Sequence, residues 1–357
     1  MHCLFGLPFD AVDLDAAEQR IRTAVEQRSP CFLSTPNLNF LIACQSDTSF
    51  RNSVINSDLS VADGMPVVWL SRLLGAPIRE RVPGSTLFDR LRRGSGAKLA
   101  VFFFGGSDGV AEQACRQLTI EDQRLTCAGY ASPGYGSVED MSTEETIQRI
   151  NANKADILVV ALGARKGQAW IERNRHRLDV PVISHLGAVL NFVAGTVARA
   201  PAWLQNIGLE WLWRIKEEPE LGRRYLVDGL MFLRLLVTRA LPYAWYIYRH
   251  KHAKRDLESA SVEARDTSTE IVIRLVGPWV QENLAPLRDC FAKAARAGKD
   301  VRIDLEHVSY LDASVLGLVL LLYGSQTRAG RRLDCSAASP EVRRILRYGC
   351  SEFLLAG

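Results

Sequence analysis

Between about residues 10 and 200, short apolar runs alternate with amphipathic stretches. The runs Cys31–Ser34, Leu59–Ala62, Leu99–Phe104, Ile157–Leu162 and Val180–Leu186 are strand length, and helix-compatible sequence follows most of them. That rhythm predicts βαβ units, hence an α/β, Rossmann-like, mainly parallel sheet with helices on both faces. Such sheets bind ligands beyond the carboxyl ends of their strands. Thr35, Asn37, Asp63, Gly105 and Gly163 all stand at predicted strand ends, so they are expected to converge on one crevice.

The texture changes near residue 200, where tryptophans and tyrosines crowd between Trp203 and Tyr248. From Tyr225 to Tyr248 the chain is mostly apolar, broken by Asp228, Arg234, Arg239 and Pro242, and a basic run from Arg249 to Arg255 follows. A spanning helix needs about 20 largely uncharged residues. Two central arginines would each cost about 2.5–3.5 kcal/mol, and Pro242 is expected to break the helix. The pattern therefore predicts an interfacial segment with leucines and aromatics inserted, arginines snorkelling, and the basic run drawn to anionic lipid. The competing reading packs this stretch on the protein's own core or on another subunit.

Asp256–Thr269 is polar and aperiodic and reads as a linker. Beyond it the pattern predicts strands at Ile271–Val276, Val301–Leu305 and Arg332–Ser336, with helices at Leu284–Ala297, Ser314–Tyr323 and Glu341–Tyr348. The expected organisation is a sheet domain over 1–222, a helical appendage over 223–255, a linker over 256–269 and a small α/β domain over 270–357.

At 24% charged and 47% apolar residues, the composition is globular and excludes wholesale disorder, collagen and a polytopic membrane protein. The net charge of +4 gives no argument for nucleic acid, and none is expected as a partner. The eight cysteines form no CxxC and no Cys/His cluster, so no metal site is expected. They read as small buried hydrophobes of a reducing compartment rather than as a disulfide framework. Met1–Gly6 lacks a basic region followed by a long apolar run, which points to the cytoplasm.

Asp63 ends an apolar strand and precedes a glycine that permits a sharp turn. A carboxylate there suits a general base if its pKa is tuned; the alternative is a cap for the helix starting near Pro66. Thr35 and Asn37 offer a hydroxyl and an amide suited to sugar hydroxyls, and are also common turn residues. Phe104-Gly105-Gly106-Ser107-Asp108-Gly109 reads as strand, glycine-rich turn and helix, a geometry that can present backbone N–H groups to a phosphate. Arg81, Arg199, Arg214, Arg223 and Arg224 suit a diphosphate as a set; each alone reads better as solvated surface.

Together these stretches resemble the WecG/TagA/CpsF family of bacterial glycosyltransferases. Thr35-x-Asn37, Asp63-Gly64, Glu80-Arg81-Val82-x-Gly84, Ala194-Gly195 with Arg199-Ala200-Pro201-x-Trp203, and Gly208-Leu209-Glu210-Trp211-Leu212-Trp213-Arg214 with Glu218-Pro219 match its ordered motifs. The resemblance implies an inverting transferase that moves a sugar from a UDP-sugar to a polyprenyl-diphosphate-linked saccharide in surface polysaccharide assembly. It implies a peripheral location on the inner face of the cell membrane and no cofactor. By carry-over Asp63 is the base, Thr35 and Asn37 hold sugars, and Arg81, beside Gly84, lies near the nucleotide or diphosphate. Arg214, Arg223 and Arg224 belong to the appendage that closes over the diphosphate. One motif departs: the family's Gly-x-Pro-Lys-Gln-Glu-x-Trp is here Gly163-Ala164-Arg165-Lys166-Gly167-Gln168-Ala169-Trp170. Gln168 is expected to replace one lost polar contact, with altered sugar or nucleotide preference as the consequence.

Residues 270–357 resemble a STAS domain through Ile303-Asp304-Leu305, Val308-Ser309-Tyr310-Leu311-Asp312-Ala313-Ser314 and Ala338-Ser339-Pro340-Glu341-Val342. Switch-type members carry a phosphorylated Ser or Thr after the Asp; Ala313 has no hydroxyl. Ser314 is expected to cap the helix. The resemblance implies a docking or regulatory module that recruits a protein partner. The alternative to a transferase is a non-catalytic, membrane-associated scaffold that uses the STAS domain to organise polysaccharide enzymes.

Overall fold

The computed structural model describes residues 1–121, 123–206, 208–250 and 257–355. A hairpin opens the chain, β1 (His2–Leu4) with β2 (Leu7–Phe9), followed by α1 (Leu14–Glu26), β3 (Cys31–Ser34), α2 (Leu38–Ala43), α3 (Thr48–Ile55) and β4 (Leu59–Ser60). Next come α4 (Met65–Leu73), α5 (Gly84–Arg93), β5 (Leu99–Gly105), α6 (Val110–Glu121), β6 (Leu125–Ala131) and α7 (Glu144–Ala152). β7 (Ile157–Ala161), α8 (Ala164–Asn174), β8 (Val182–His185) and α9 (Gly187–Ala194) complete the first unit. Its six strands run in the order β4-β3-β8-β7-β5-β6, every neighbouring pair parallel. Apolar side chains of α1, α5, α6 and α9 cover one face and those of α7 and α8 the other. The predicted strands recur with ends shifted by a residue or two, and the hairpin and β6 are additions.

The appendage consists of α10 (Ala202–Asn206), α11 (Glu210–Glu217), α12 (Leu221–Leu235), a wide π turn at Leu236–Ala240, and α13 (Leu241–Arg249). Pro242 does not break this helix. It falls in the first turn of α13, where a missing N–H costs least, and the π turn before it absorbs the register change. No helix among the described residues is long and apolar enough to cross a membrane. Lys251, His252, Lys254 and Arg255 lie outside the described residues.

The small domain has β9 (Ser261–Asp266), β10 (Glu270–Trp279), α14 (Ala285–Arg296), β11 (Asp300–Leu311), α15 (Ala313–Arg328), β12 (Leu333–Ser336) and α16 (Pro340–Tyr348). Its sheet runs β12-β11-β10-β9, with β9 antiparallel at the edge. β9 lies inside the segment read as a linker. An edge strand with both faces largely wet carries no apolar alternation, so polarity alone misreads it. The helix cap also differs: Asp312, not Ser314, caps α15, accepting from the N–H of Ser314 and Val315. Ser314 is buried and its hydroxyl bonds Asp312.

The cysteine expectation needs one correction. Cys115 and Cys127 form a disulfide, because α6 returns into the unpredicted β6 and brings their Cα atoms to 5.1 Å. Cys3, Cys31, Cys44 and Cys335 are free and buried.

One apolar core joins the hairpin, α2, α3, α13 and the small domain. α15 lies so close to the hairpin that a Cβ on Gly317 would stand 2.8 Å from the Met1 carbonyl oxygen and 3.0 Å from the His2 Cα. Arg328 donates to the Asn56 carbonyl at 3.1 Å, and Arg51 lies over the Phe353 ring at 3.7 Å. A mid-helix glycine ordinarily costs about 1 kcal/mol against alanine, so the close approach explains its place. Gly317→Val is expected to destabilise the chain by about 2 kcal/mol through overpacking, read by urea unfolding; unchanged stability would contradict this contact.

Candidate functional site

Thr35, Asp63, Gly163 and His185 stand at the carboxyl ends of β3, β4, β7 and β8, four adjacent strands. Backbone bonds tie these ends together. Val61 N–H donates to Ser34 O at 3.0 Å, Asp63 N–H to Pro36 O at 3.0 Å, and Val82 N–H to Ala62 O at 2.7 Å. The last contact carries the Arg81–Gly84 loop over the end of β4.

Gly84 opens α5 and its N–H donates to the Asp63 carboxylate. A Cβ on Gly84 would come within 2.4 Å of Leu186 Cδ2 and 3.4 Å of Thr35 Oγ1. Only glycine lets that N–H approach with Thr35 and Leu186 packed behind it. Asp63 does not cap α4. That position is Gly64, at φ +120°, without a side-chain bond.

The Asp63 carboxyl is pushed up to about 7. Loss of water is the main cause and the neighbouring Glu210 carboxylate the second; the Gly84 N–H, Arg81 and Arg199 act in the opposite sense. Glu210 comes from the appendage. Arg81 holds it there, donating to Glu210 Oε2 at 3.1 Å and to the Gln205 carbonyl at 2.7 Å. Arg199 donates to Thr86 Oγ1 at 2.6 Å. The appendage thereby brings a second carboxylate beside Asp63. Glu210 was not among the expected site residues, although it lies inside the Gly208–Arg214 motif.

The remaining expected residues divide. Gly163 caps α8 at φ +77° with open space where a side chain would be. Asn37 caps α2, accepting from Phe40 N–H. Arg214 makes a two-pronged bond to Glu218 and lies over Phe192. Arg223 and Arg224 are exposed in the first turn of α12. Gly105 and Gly106 do not form a free phosphate cradle. The Gly106 N–H donates to Ala161 O at 2.9 Å, and side chains on the two glycines would strike Ala161 and Leu190. Gln168 is 1% exposed and donates to Ser34 Oγ at 3.0 Å, so it braces α8 against β3 inside the core and is no crevice contact. Trp170 is core as well, stacked on Phe104. Among the described residues no His/Cys/Asp/Glu cluster suits a metal ion.

Residues 2–244 match the glycosyl transferase WecG/TagA/CpsF family, over two thirds of the chain. The chain belongs to this family. Residues 262–352 match the family described as Mlab, STAS domain. The chain is 29% identical over 205 residues to the N-acetylglucosaminyldiphosphoundecaprenol N-acetyl-beta-D-mannosaminyltransferase of Bacillus spizizenii, covering 57% of this chain and 78% of the relative. It is 25% identical over 260 residues to the Staphylococcus aureus protein of the same name, covering 72% and 94%. Among solved structures, the anti-sigma factor antagonist SpoIIAA in its unphosphorylated form covers 27% of this chain and 86% of its own, at 24% identity and TM-score 0.24. Asp63 and its surroundings thus lie inside the transferase match, and α15 and Asp312 inside the STAS match.

Asp63 should leave a mark on stability. Between pH 4 and 7 the folded chain keeps a proton that the unfolded chain, at an ordinary value of 3.8, has released. Stability from this group therefore falls as pH rises through that window. Asp63→Asn is expected to match wild type near pH 4 and to exceed it at pH 8 in urea unfolding; a pH-independent difference would contradict the raised carboxyl.

Proposed function

We propose that this chain is an inverting transferase that moves a sugar from a UDP-sugar to a polyprenyl-diphosphate-linked saccharide, with Asp63 as general base. What supports this reading is the placement of Asp63 at the carboxyl end of a parallel sheet, with the Arg81–Gly84 loop laid over it and Glu210 beside it, surroundings that raise its carboxyl. Asp63 takes the proton of the acceptor hydroxyl as that oxygen bonds to the anomeric carbon of the donor, and UDP leaves from the opposite face. Thr35 and Asn37 orient the sugars. Arg81 and Arg199, both felt by Asp63, bring positive charge to the site, and Arg214, Arg223 and Arg224 lie along the appendage where a diphosphate would be gripped. The printed names of the two relatives supply the acceptor class, a diphosphoundecaprenol-linked sugar.

A lipid-linked acceptor calls for contact with the bilayer. The appendage helix exposes Leu226, Leu230, Leu233, Val237, Leu241, Trp245 and Tyr248 at spacings of three and four residues. Such a stripe suits the membrane interface. Its other side, with Ala240, Tyr243 and Tyr246, packs into the shared core, and Arg239 bonds the Arg347 carbonyl. Both readings of this segment therefore have support: one face is packed, and the opposite face is exposed and suits lipid at the cytoplasmic surface.

The same packing bears on the STAS domain. Ala313 and Ser314 are buried and α15 lies against the hairpin, so its first docking partner is the transferase unit of its own chain. In this reading it braces the appendage, and recruitment of a second protein falls to its other surfaces. A bare scaffold has no use for a carboxyl tuned in this way.

UDP release by the purified chain, on vesicles carrying a polyprenyl-diphosphate-linked acceptor, tests the proposal. Release is expected only with acceptor and a suitable UDP-sugar, and is expected to fall at least about a hundredfold in Asp63→Asn. Equal release by the variant would remove Asp63 from the reaction. Silence from every donor would favour the scaffold.

A further inference from the structure

His185 has no part in the mechanism above, yet it ends one of the four adjacent strands whose carboxyl ends carry the expected site residues. It ends β8, the strand between β3 and β7, so its neighbours across the sheet are the ends that carry Thr35 and Gly163. The next residue, Leu186, is packed against Gly84, the N–H partner of Asp63. Consecutive strand residues face opposite sides of a sheet, so the imidazole turns toward Gly167 of α8 while Leu186 turns toward Gly84 of α5.

Its surroundings are those of a displaced contact. The altered 163–170 motif has Gly167 where the family pattern has Gln. A Cβ on Gly167 would stand 2.3 Å from His185 Cδ2 and 3.2 Å from Nε2. On the other side, a Cβ on Gly187, the first residue of α9, would stand 3.5 Å from Nε2. The ring is thus wedged between two glycines at the starts of α8 and α9, filling the space where a side chain at 167 would begin. Nε2 is buried and has no hydrogen-bond partner in the protein. Burial lowers the ring's pKa to about 4, so it is neutral and carries one donor and one acceptor. Buried polar atoms are rarely left unpaired without a reason, and the residue as a whole is only half-buried.

We propose that His185 is a donor-sugar contact, its imidazole replacing the family's Gln from the opposite wall and offering a hydrogen bond to a hydroxyl or acetamido group. The proposal rests on the transferase reading and deepens it. It makes the paired change, Gly at 167 with His at 185, the determinant of which sugar this chain accepts.

The test uses the full-length chain with UDP-N-acetylmannosamine, UDP-N-acetylglucosamine and UDP-glucose as donors, and UDP alone as the nucleotide probe. His185→Ala is expected to raise KM for the accepted donor about tenfold and to change the ranking of donors, with UDP affinity by calorimetry within about twofold of wild type. His185→Gln is expected to recover part of the loss and serves if the alanine variant folds poorly. Gly167→Ala, which must push the ring aside, is expected to impair wild type and to add nothing to His185→Ala. Unchanged donor KM and ranking, or equal losses of UDP and UDP-sugar affinity, would overturn the proposal while turnover lost in Asp63→Asn left the transferase reading standing. Absence of wild-type turnover with every donor would overturn both.

Discussion

A carboxylate loses most of its hydration when it is set at the bottom of a cleft, and a second carboxylate beside it makes ionisation harder still. Asp63 is held in that state at the end of β4, with Glu210 as its neighbour. The Gly84 N–H and two arginines partly offset the penalty, which leaves the group titrating near neutrality instead of staying protonated throughout. The rest of the site follows from this balance. Gly84 must lack a side chain, Leu186 and Thr35 must pack behind it, and Arg81 must hold the appendage so that Glu210 arrives at all.

The appendage consequently has two tasks on one helical run. Its N-terminal part, through Glu210, finishes the pocket; its C-terminal part is an amphipathic helix with apolar side chains on both sides. A helix with apolar side chains on two sides needs two coverings. The STAS domain supplies one, through the core that contains Tyr243, Tyr246, Tyr310 and Leu316. Asn39 adds a polar tie, donating to the buried Asp228 of α12 at 3.0 Å. Anything that moves the STAS domain therefore pulls on the helix that also carries Arg223 and Arg224, and α11 packs directly before it.

Much of this was legible in the sequence, for physical reasons. Buried parallel strands are continuous apolar runs, so β3, β5, β7 and β8 were placed within a residue or two. Thr35 and Asp63 stand out in the sequence as polar residues at the ends of such runs, and both stand at strand ends in the fold. What escaped reading was set by tertiary contact. β9 is an edge strand without alternation, and the Cys115–Cys127 pair depends on the return of the chain into β6. Gln168 looked like a site residue by motif position, but helix phase turns it toward Ser34. Glu210 acts together with Arg81, more than a hundred residues away in the chain, and no local pattern marks it.

Glu210, delivered by the appendage, helps set the ionisation of Asp63. The most direct measurement is the pH dependence of kcat/KM for the acceptor in wild type and in Glu210→Gln. A base that must be unprotonated gives a rate that climbs with pH and levels off above its pKa. The wild-type midpoint is expected near 7, moved to lower pH in Glu210→Gln because the repelling charge is gone and Arg81 is released. A midpoint near 4 in wild type, or one that Glu210→Gln leaves in place, would contradict it.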